Sequence, residues 1–353
     1  CVVVDALPLI RSQYSLKRYT LRNVAKELLD REKLDVAPSE MEEYWNDSGE
    51  KILHFIDYAQ RDSELALELF MKLRLLDKHI AVAQVSGSLL QEVVDGGQTS
   101  MVENLLLREY GKRDRVIPPR PSDDLVSFRN RSSEGLKGGE VLEPKRGLLE
   151  NIVILDYKSL YPTIMMAHNL CYTTVVEQDR PESETIKPPS GGEFVPAGVS
   201  KGIMPSILEN LLNRRVETKK RMKSAANEDE YRVLDATQLA LKILLNSFYG
   251  YSGYTRARLY SLTLANAVTS FGRENILNTR AIVNGSINKV ILRDDIVHFT
   301  EDVDSINDDD RIVSLSVVYG DTDSVFVQCS SEDPVSLGDA ELVGNKIAGT
   351  VSA

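Results

Sequence analysis

Three aspartates stand where a strand-like run gives out. Asp321 and Asp323 lie in VVYGDTDSVFV, residues 317–327, between two β-branched runs, and Asp156 closes NIVIL just before YKSLYPT. Taken singly, each has an ordinary structural reading: Asp and Gly suit a tight turn, and an aspartate at a strand end can cap backbone N–H groups. Against the turn reading, Val317, Val318, Val325 and Val327 indicate a buried hairpin, and burying carboxylates without cations is costly. A carboxylate at the C-terminal edge of a strand, beside a helix start, can hold Mg²⁺ while free backbone N–H groups face a phosphate. Asp156 joined to Asp321 and Asp323 gives the carboxylate set with which two Mg²⁺ ions clamp an in-line phosphoryl displacement.

Cations to oppose these acids occur on two helical stretches. Lys242, Asn246 and Tyr249 are spaced i, i+4 and i+7 and share one helix face; Arg215, Lys219 and Lys223 form a similar stripe on the stretch before it. Either stripe alone also reads as a solvated basic face. Two of them opposite a carboxylate cluster favour a metal–triphosphate arrangement, with cations neutralising the phosphates. The net charge of −11 at first argues against a nucleic-acid partner, but its distribution matters more than its sum. Residues 201–223 hold seven Lys and Arg against two Glu, whereas every charge in residues 294–310 is acidic. That acidic stretch lacks the glycine of an EF-hand loop and reads as a solvated insertion.

The elements that must position these residues give an α+β chain. Residues 1–110 read mostly as helices after one opening strand, and residues 111–147, rich in Pro, Gly and charge, as a linker or ordered crossing segment. A strand ending at Asp156 then breaks into a short helix near Pro162. One long helix runs from Gly202 to about Asn227, and a second ends at Gly250, as an antiparallel helical hairpin. More helix follows to about residue 282, then the acidic stretch and the strand–turn–strand. The 353 residues suffice for two or three domains. No run is long and apolar enough to span a bilayer, so no membrane partner is expected. Cys1, Cys171 and Cys329 have no metal-type spacing, which points to a reducing compartment. A chain that begins with Cys inside a strand-like run is expected to be a piece of a longer protein.

DYKSLYPTIMMAHNL, KILLNSFYGYSGYTRARLY and YGDTDS, in that order, resemble motifs A, B and C of the family B DNA polymerases. AHNLCYTT is similar to eukaryotic delta-type enzymes and YTRARLY to archaeal ones. YAQRD, Tyr58 to Asp62, resembles the third motif of a 3′–5′ exonuclease. The resemblance implies the C-terminal part of an RNase H-like exonuclease domain over 1–110 and a linker over 111–147. It implies a palm with an antiparallel sheet over 148–200, helical-hairpin fingers over 201–250, and a palm continuation over 251–353 that carries the insert 294–310. A thumb is absent.

By the same resemblance, Asp156 and Asp323, with Asp321 close by, are catalytic, and Asp156, Tyr157 and Asp323 bind two Mg²⁺ ions. Ser159, Leu160, Tyr161, Arg215, Lys219, Lys242, Asn246 and Tyr249 bind the nucleotide, and the Tyr161 ring excludes a 2′-hydroxyl. Tyr58 and Asp62 are an exonuclease remnant whose companion motifs would lie upstream. Where the family has Tyr ahead of a Gly-Gly pair, this chain has Leu136. The implied activity is template-directed DNA synthesis in replication, with primer–template DNA and deoxynucleoside triphosphates as partners. A sliding clamp would bind through regions outside this chain. The implied location is the cytoplasm if the source is archaeal and the nucleus if it is eukaryotic. Two other readings fit parts of the sequence: a catalytically idle, polymerase-like architectural subunit, and a generic metal-dependent phosphohydrolase, which accounts for the acids but not for the paired basic helices.

Overall fold

The structure, a computed structural model, describes residues 1–133, 137–176, 185–294, 296–300 and 310–352. The chain forms two compact units: residues 1–105 with 213–244, and residues 106–212 with 245–353.

The N-terminal part is helical from its start. Helices α1 (Ala6–Gln13), α2 (Leu21–Leu29), α3 (Met41–Asn46), α4 (Glu50–Lys72), α5 (Asp77–Ser86), α6 (Leu90–Asp95) and α7 (Gln98–Gly111) follow one another. The opening strand expected from CVVVDALPLI does not form. The Asp5 side chain accepts from the Leu7 N–H and starts α1 instead, leaving Val2 and Val3 exposed. Leu9 and Ile10 of α1, Val24 of α2 and Leu69 of α4, with Leu75, form the core of the first unit.

The segment read as a linker is ordered where it is described. It contains α8 (Asp123–Ser132), capped by Ser122, and β1 (Val141–Leu142). Then come β2 (Ile152–Asp156), α9 (Leu160–Ala167), α10 (Ile203–Met222), α11 (Glu228–Ser252) and α12 (Leu262–Asn284). Helix α10 stops at Met222 rather than near Asn227, because the Asn227 side chain accepts from the Glu230 N–H at 2.8 Å and starts α11. Helix α11 passes through Gly250 to Ser252, since the burial of Tyr251 rewards another half-turn and the Ser252 hydroxyl donates to the Tyr249 carbonyl.

Strands β3 (Lys289–Arg293), β4 (Ile296–Phe299), β5 (Arg311–Asp321) and β6 (Ser324–Ser330) and helix α13 (Leu337–Val351) complete the chain. Part of the acidic stretch is therefore strand β4 rather than solvated loop: Val297 is buried and β4 pairs with β3 from Ile296 to Phe299. Asp310, at the far end of that stretch, is held by both Arg293 Nε and Nη2 at 2.6 Å. The remainder of the stretch, like Leu136, lies outside the described residues.

The sheet is antiparallel with strand order β2-β6-β5-β3-β4, and β1 is added to β5. One face packs on α12 and α13 through Val290, Leu292, Val313, Leu315, Val325, Val327, Ile276 and Ile347. Helix α12 also meets α9. At that contact Gly272 has no side chain, and a Cβ there would meet Tyr161, Leu160 and Ile164 of α9 at 3.3, 3.5 and 3.8 Å, so the backbones come close.

Candidate active site

Strand pairing places two of the three aspartates side by side. In the β2–β6 register Asp156 is opposite Ser324, and the Tyr157 N–H donates to the Asp323 carbonyl at 2.8 Å. The Asp323 carboxyl is held above its ordinary value by burial first and then by the charge of Asp156, with Asp321 a lesser contributor. Asp321 sits one residue across the hairpin tip. It accepts from the Thr322 hydroxyl at 2.8 Å and from the Tyr319 hydroxyl at 3.5 Å. Among the described residues, no group of three or more His, Cys, Asp or Glu comes together to hold a metal. The close pair is Asp156 and Asp323, not a triad. Two neighbouring carboxylates, one of them raised by burial and by the charge of the other, are hard oxygen ligands of the kind that fit a divalent cation.

Both loops that carry these acids are conformationally strained. Thr322, between β5 and β6, has φ 55°, and Ser159, between β2 and α9, has φ 54°. A β-branched residue in the left-handed region is unusual, and such residues cost about 1–3 kcal/mol unless the surroundings fix them. At Ser159 the strain turns the chain directly from strand into α9. The N–H groups of Ser159, Leu160 and Tyr161 then precede the first intrahelical bond, from the Thr163 N–H to the Ser159 carbonyl at 3.0 Å. An open helix N-terminus capped at Ser159, three residues beyond Asp156, suits an anion.

Tyr161 and Tyr249, expected to contact sugar and base, do meet. Their ring centroids are 4.4 Å apart at 37°. Burial pushes the Tyr161 phenol up to about 12, helped by Tyr249 and Asp323, while the positive charge of Arg273 opposes the shift. Burial also raises Tyr249, again against Arg273. Gly272 makes room for this pair: a Cβ there would come within 3.3 Å of the Tyr161 ring. Nearby, His168, the C-cap of α9, stacks on Phe271 of α12, with centroids 3.8 Å apart and planes within 3°.

The expected phosphate-binding cations belong to the first unit, in α10 and α11. Lys219 and Lys242 are exposed, and neither has an ion-pair partner among the described residues. Arg215 is half-buried, and its Nε is buried without a hydrogen-bond partner. Asn246 and Tyr249 lie beyond the unit boundary on the same helix, one exposed and the other half-buried. Also in the first unit, Asp62 takes a 2.6 Å ion pair from Lys33, whose ammonium lies 4.9 Å from the centre of the Tyr58 ring. Burial alone would lower the Lys33 pKa; Asp62 and Tyr58 outweigh it and raise it. Asp62 Oδ1 remains buried without a partner.

Sequence reasoning missed Gly272 and Arg273 and noted Gly139 only as part of a Gly-Gly pair; these residues pack against the two strained loops or the tyrosine pair. A glycine inside a helix costs about 1 kcal/mol relative to alanine, so Gly272, inside the helical stretch SFGREN, was a signal for close packing.

The sequence profile described as DNA polymerase family B matches residues 89–353. The DNA polymerase delta catalytic subunit of Candida albicans is 34% identical over 337 residues, covering 94% of this chain and 30% of the relative. That of Bos taurus is 33% identical over 358 residues, covering 99% of this chain and 30% of the relative. The chain thus spans about 30% of the length of these curated relatives. Among solved structures, the family B DNA polymerase from the hyperthermophilic archaeon Pyrobaculum calidifontis matches with a TM-score of 0.63 and 30% identity, over 93% of this chain and 39% of that one. Among the described residues, no helix is long and apolar enough to cross a membrane.

Proposed function

This chain belongs to DNA polymerase family B, and from that premise we propose that it carries the nucleotidyl-transfer centre of a template-directed, replicative DNA polymerase. The observation that supports this best is that Asp156, opposite Ser324 at the end of β2, lies beside the turn residue Asp323, next to the open N-terminus of α9. Family membership implies use of a divalent metal, which we read as two Mg²⁺ ions. When bound, they would supply Lewis-acid chemistry, lowering the pKa of a primer 3′-hydroxyl and offsetting phosphate charge. Asp156, Asp323 and the Tyr157 carbonyl would hold them, with Asp321 beside the site.

The N–H groups of Ser159, Leu160 and Tyr161 would bind the triphosphate of an incoming deoxynucleotide. Arg215, Lys219 and Lys242 would offset its charge, and Asn246 and Tyr249 would line the nascent base pair. The Tyr161 ring, held against Tyr249, would fill the space a ribose 2′-hydroxyl needs. The primer oxygen forms a bond to the α-phosphorus, the bond from that phosphorus to the bridging oxygen breaks, and pyrophosphate leaves with its charge met by those cations.

Tyr58 and Asp62 are read as part of a 3′–5′ exonuclease site. Primer–template DNA is the macromolecular substrate, and a sliding clamp is a further partner of the longer enzyme. Such an enzyme works in the nucleus of a eukaryote or the cytoplasm of an archaeon. An idle architectural subunit is not favoured, since the relatives are named as catalytic subunits.

The test is primer extension on a primed template with Mg²⁺, with Asp323→Asn in parallel. The variant is expected to lose at least about 10³-fold in rate, equivalent to ~4 kcal/mol of transition-state stabilisation. Wild-type extension by a folded Asp323→Asn protein would overturn the assignment.

A further inference from the structure

The tip of the β5–β6 hairpin is held from outside by the segment Lys137–Leu142, which the reading of the carboxylates does not use. Strand β3 covers the edge of β5 only from Arg311 to Ser314. Toward the tip that edge passes to β1, where Val141 pairs with Asp321 and Leu142 with Gly320. The Glu140 carbonyl accepts from the N–H of the strained Thr322 at 2.8 Å, and farther back the Lys145 N–H donates to Val318 at 2.8 Å. Gly139 lies directly on the Thr322 side chain. A Cβ at Gly139 would meet Thr322 Cγ2 and Oγ1 at 2.9 Å and its Cα at 3.2 Å. The segment has its own anchor in Arg273 of α12, whose Nη1 donates to the Lys137 carbonyl at 3.0 Å and to the Gly138 carbonyl at 2.7 Å.

Three features make this a positioning device rather than incidental packing. Thr322 is β-branched with positive φ, a conformation that persists only when neighbours fix it. Its N–H and its side chain are both met by Lys137–Leu142, and next to it stands Asp323. Arg273 spends a guanidinium on two neutral carbonyls, a charge-assisted arrangement stronger than a neutral bond. From there it also acts electrostatically on Tyr161 and Tyr249. One side chain thus touches the strap and faces the tyrosine pair.

We propose that Lys137–Leu142 is a strap that sets the position of the Asp323 turn relative to Asp156. In it Arg273 is the anchoring residue and Gly139 the contact that admits no side chain. The proposal rests on the reading of Asp156 and Asp323 as the metal-binding pair. Both Arg273 and Gly139 are positioning residues, acting through the turn they hold.

The experiment compares Gly139→Ala, Arg273→Ala and Arg273→Lys with the wild-type chain in two measurements. The first is primer-extension rate as a function of Mg²⁺ and of deoxynucleotide concentration. Gly139→Ala and Arg273→Ala should lose about 10- to 100-fold in kcat, as outer partners of metal ligands do. Both should need more Mg²⁺ for half-maximal rate, with KM for the nucleotide little changed. Arg273→Lys, which keeps donors for the two carbonyls, should recover most of the loss. The second is amide hydrogen exchange over residues 319–326, in which the Thr322 amide should exchange faster in both disruptive variants.

Wild-type kcat and Mg²⁺ dependence in the variants would overturn the strap. So would a loss without a Mg²⁺ shift that Arg273→Lys does not repair, since general destabilisation would account for it. If the wild-type chain extends no primer, the polymerase reading of this chain fails. The exchange measurement then decides the strap alone: unchanged protection of Thr322 would overturn it.

Discussion

At the residue scale the consequences lie in Asp323 and Tyr161. The Asp323 carboxyl is raised above 3.8 in the folded chain by burial and by Asp156. A carboxyl whose folded pKa exceeds its unfolded value binds more protons in the native state across that window. Its contribution to stability therefore falls as pH rises through the window and stays unfavourable above it. Asp323→Asn should accordingly raise Tm of the metal-free chain at pH 7, and the difference should vanish as pH drops below 3.8. Added Mg²⁺ should raise Tm of the wild type more than that of the variant. Thermal unfolding at several pH values, with and without Mg²⁺, checks both signs. Tyr161→Ala opens the space beside Tyr249 and should raise ribonucleotide relative to deoxynucleotide incorporation by about 10- to 200-fold, the range of shape-based discrimination in a pocket. Competition between the two sugars in primer extension reads it. Asp156, Asp323, Tyr161 and Tyr249 were legible in the sequence because each sits in a short motif at the end of an element. The role of Arg273, and the contact of Gly139 with Thr322, were not, because they act on backbone carbonyls and on a side chain distant in sequence.

At the scale of elements, periodicity located α9, α10, α11, α12 and the β5–β6 hairpin, and missed where competing caps decided. Asp5 turned an apolar strand-like run into α1, and Asn227 set the break between α10 and α11. The register of β1 on β5 could not be read, because a two-residue strand has no periodicity; the pairing is selected by Gly320 and Thr322 on the partner. The N-terminal end of α12, away from the site, offers a clean test of element stability apart from chemistry. Its N-cap, Ser261, accepts from the Leu264 N–H at 3.2 Å. Ser261→Ala should cost about 1 kcal/mol, about 2–4 °C in Tm for a unit of this size. Because the N-cap lies a full three turns of helix before Arg273, kcat should change far less than in the strap variants.

For the whole molecule, α+β class and the segregation of charge were visible in composition and order. That residues 213–244 join the first unit was not, because it depends on which distant helices bury their faces together. The net charge of −11 makes any affinity for primer–template DNA a local property of basic surface such as α10. If about six phosphates are neutralised, affinity should fall by about 10³-fold between 50 and 200 mM salt, measurable by fluorescence anisotropy at fixed Mg²⁺. The left-handed backbone at Thr322 and Ser159 bears on any attempt to engineer this chain. A library screened only for heat resistance would be expected to collect glycine or asparagine at these two positions, since either relaxes the backbone. Glycine at 322 would also remove the methyl and hydroxyl that rest on Gly139. Such a screen would enrich hardy proteins with a loosened turn, so residues 159 and 322 should be held fixed while the rest of the chain is varied.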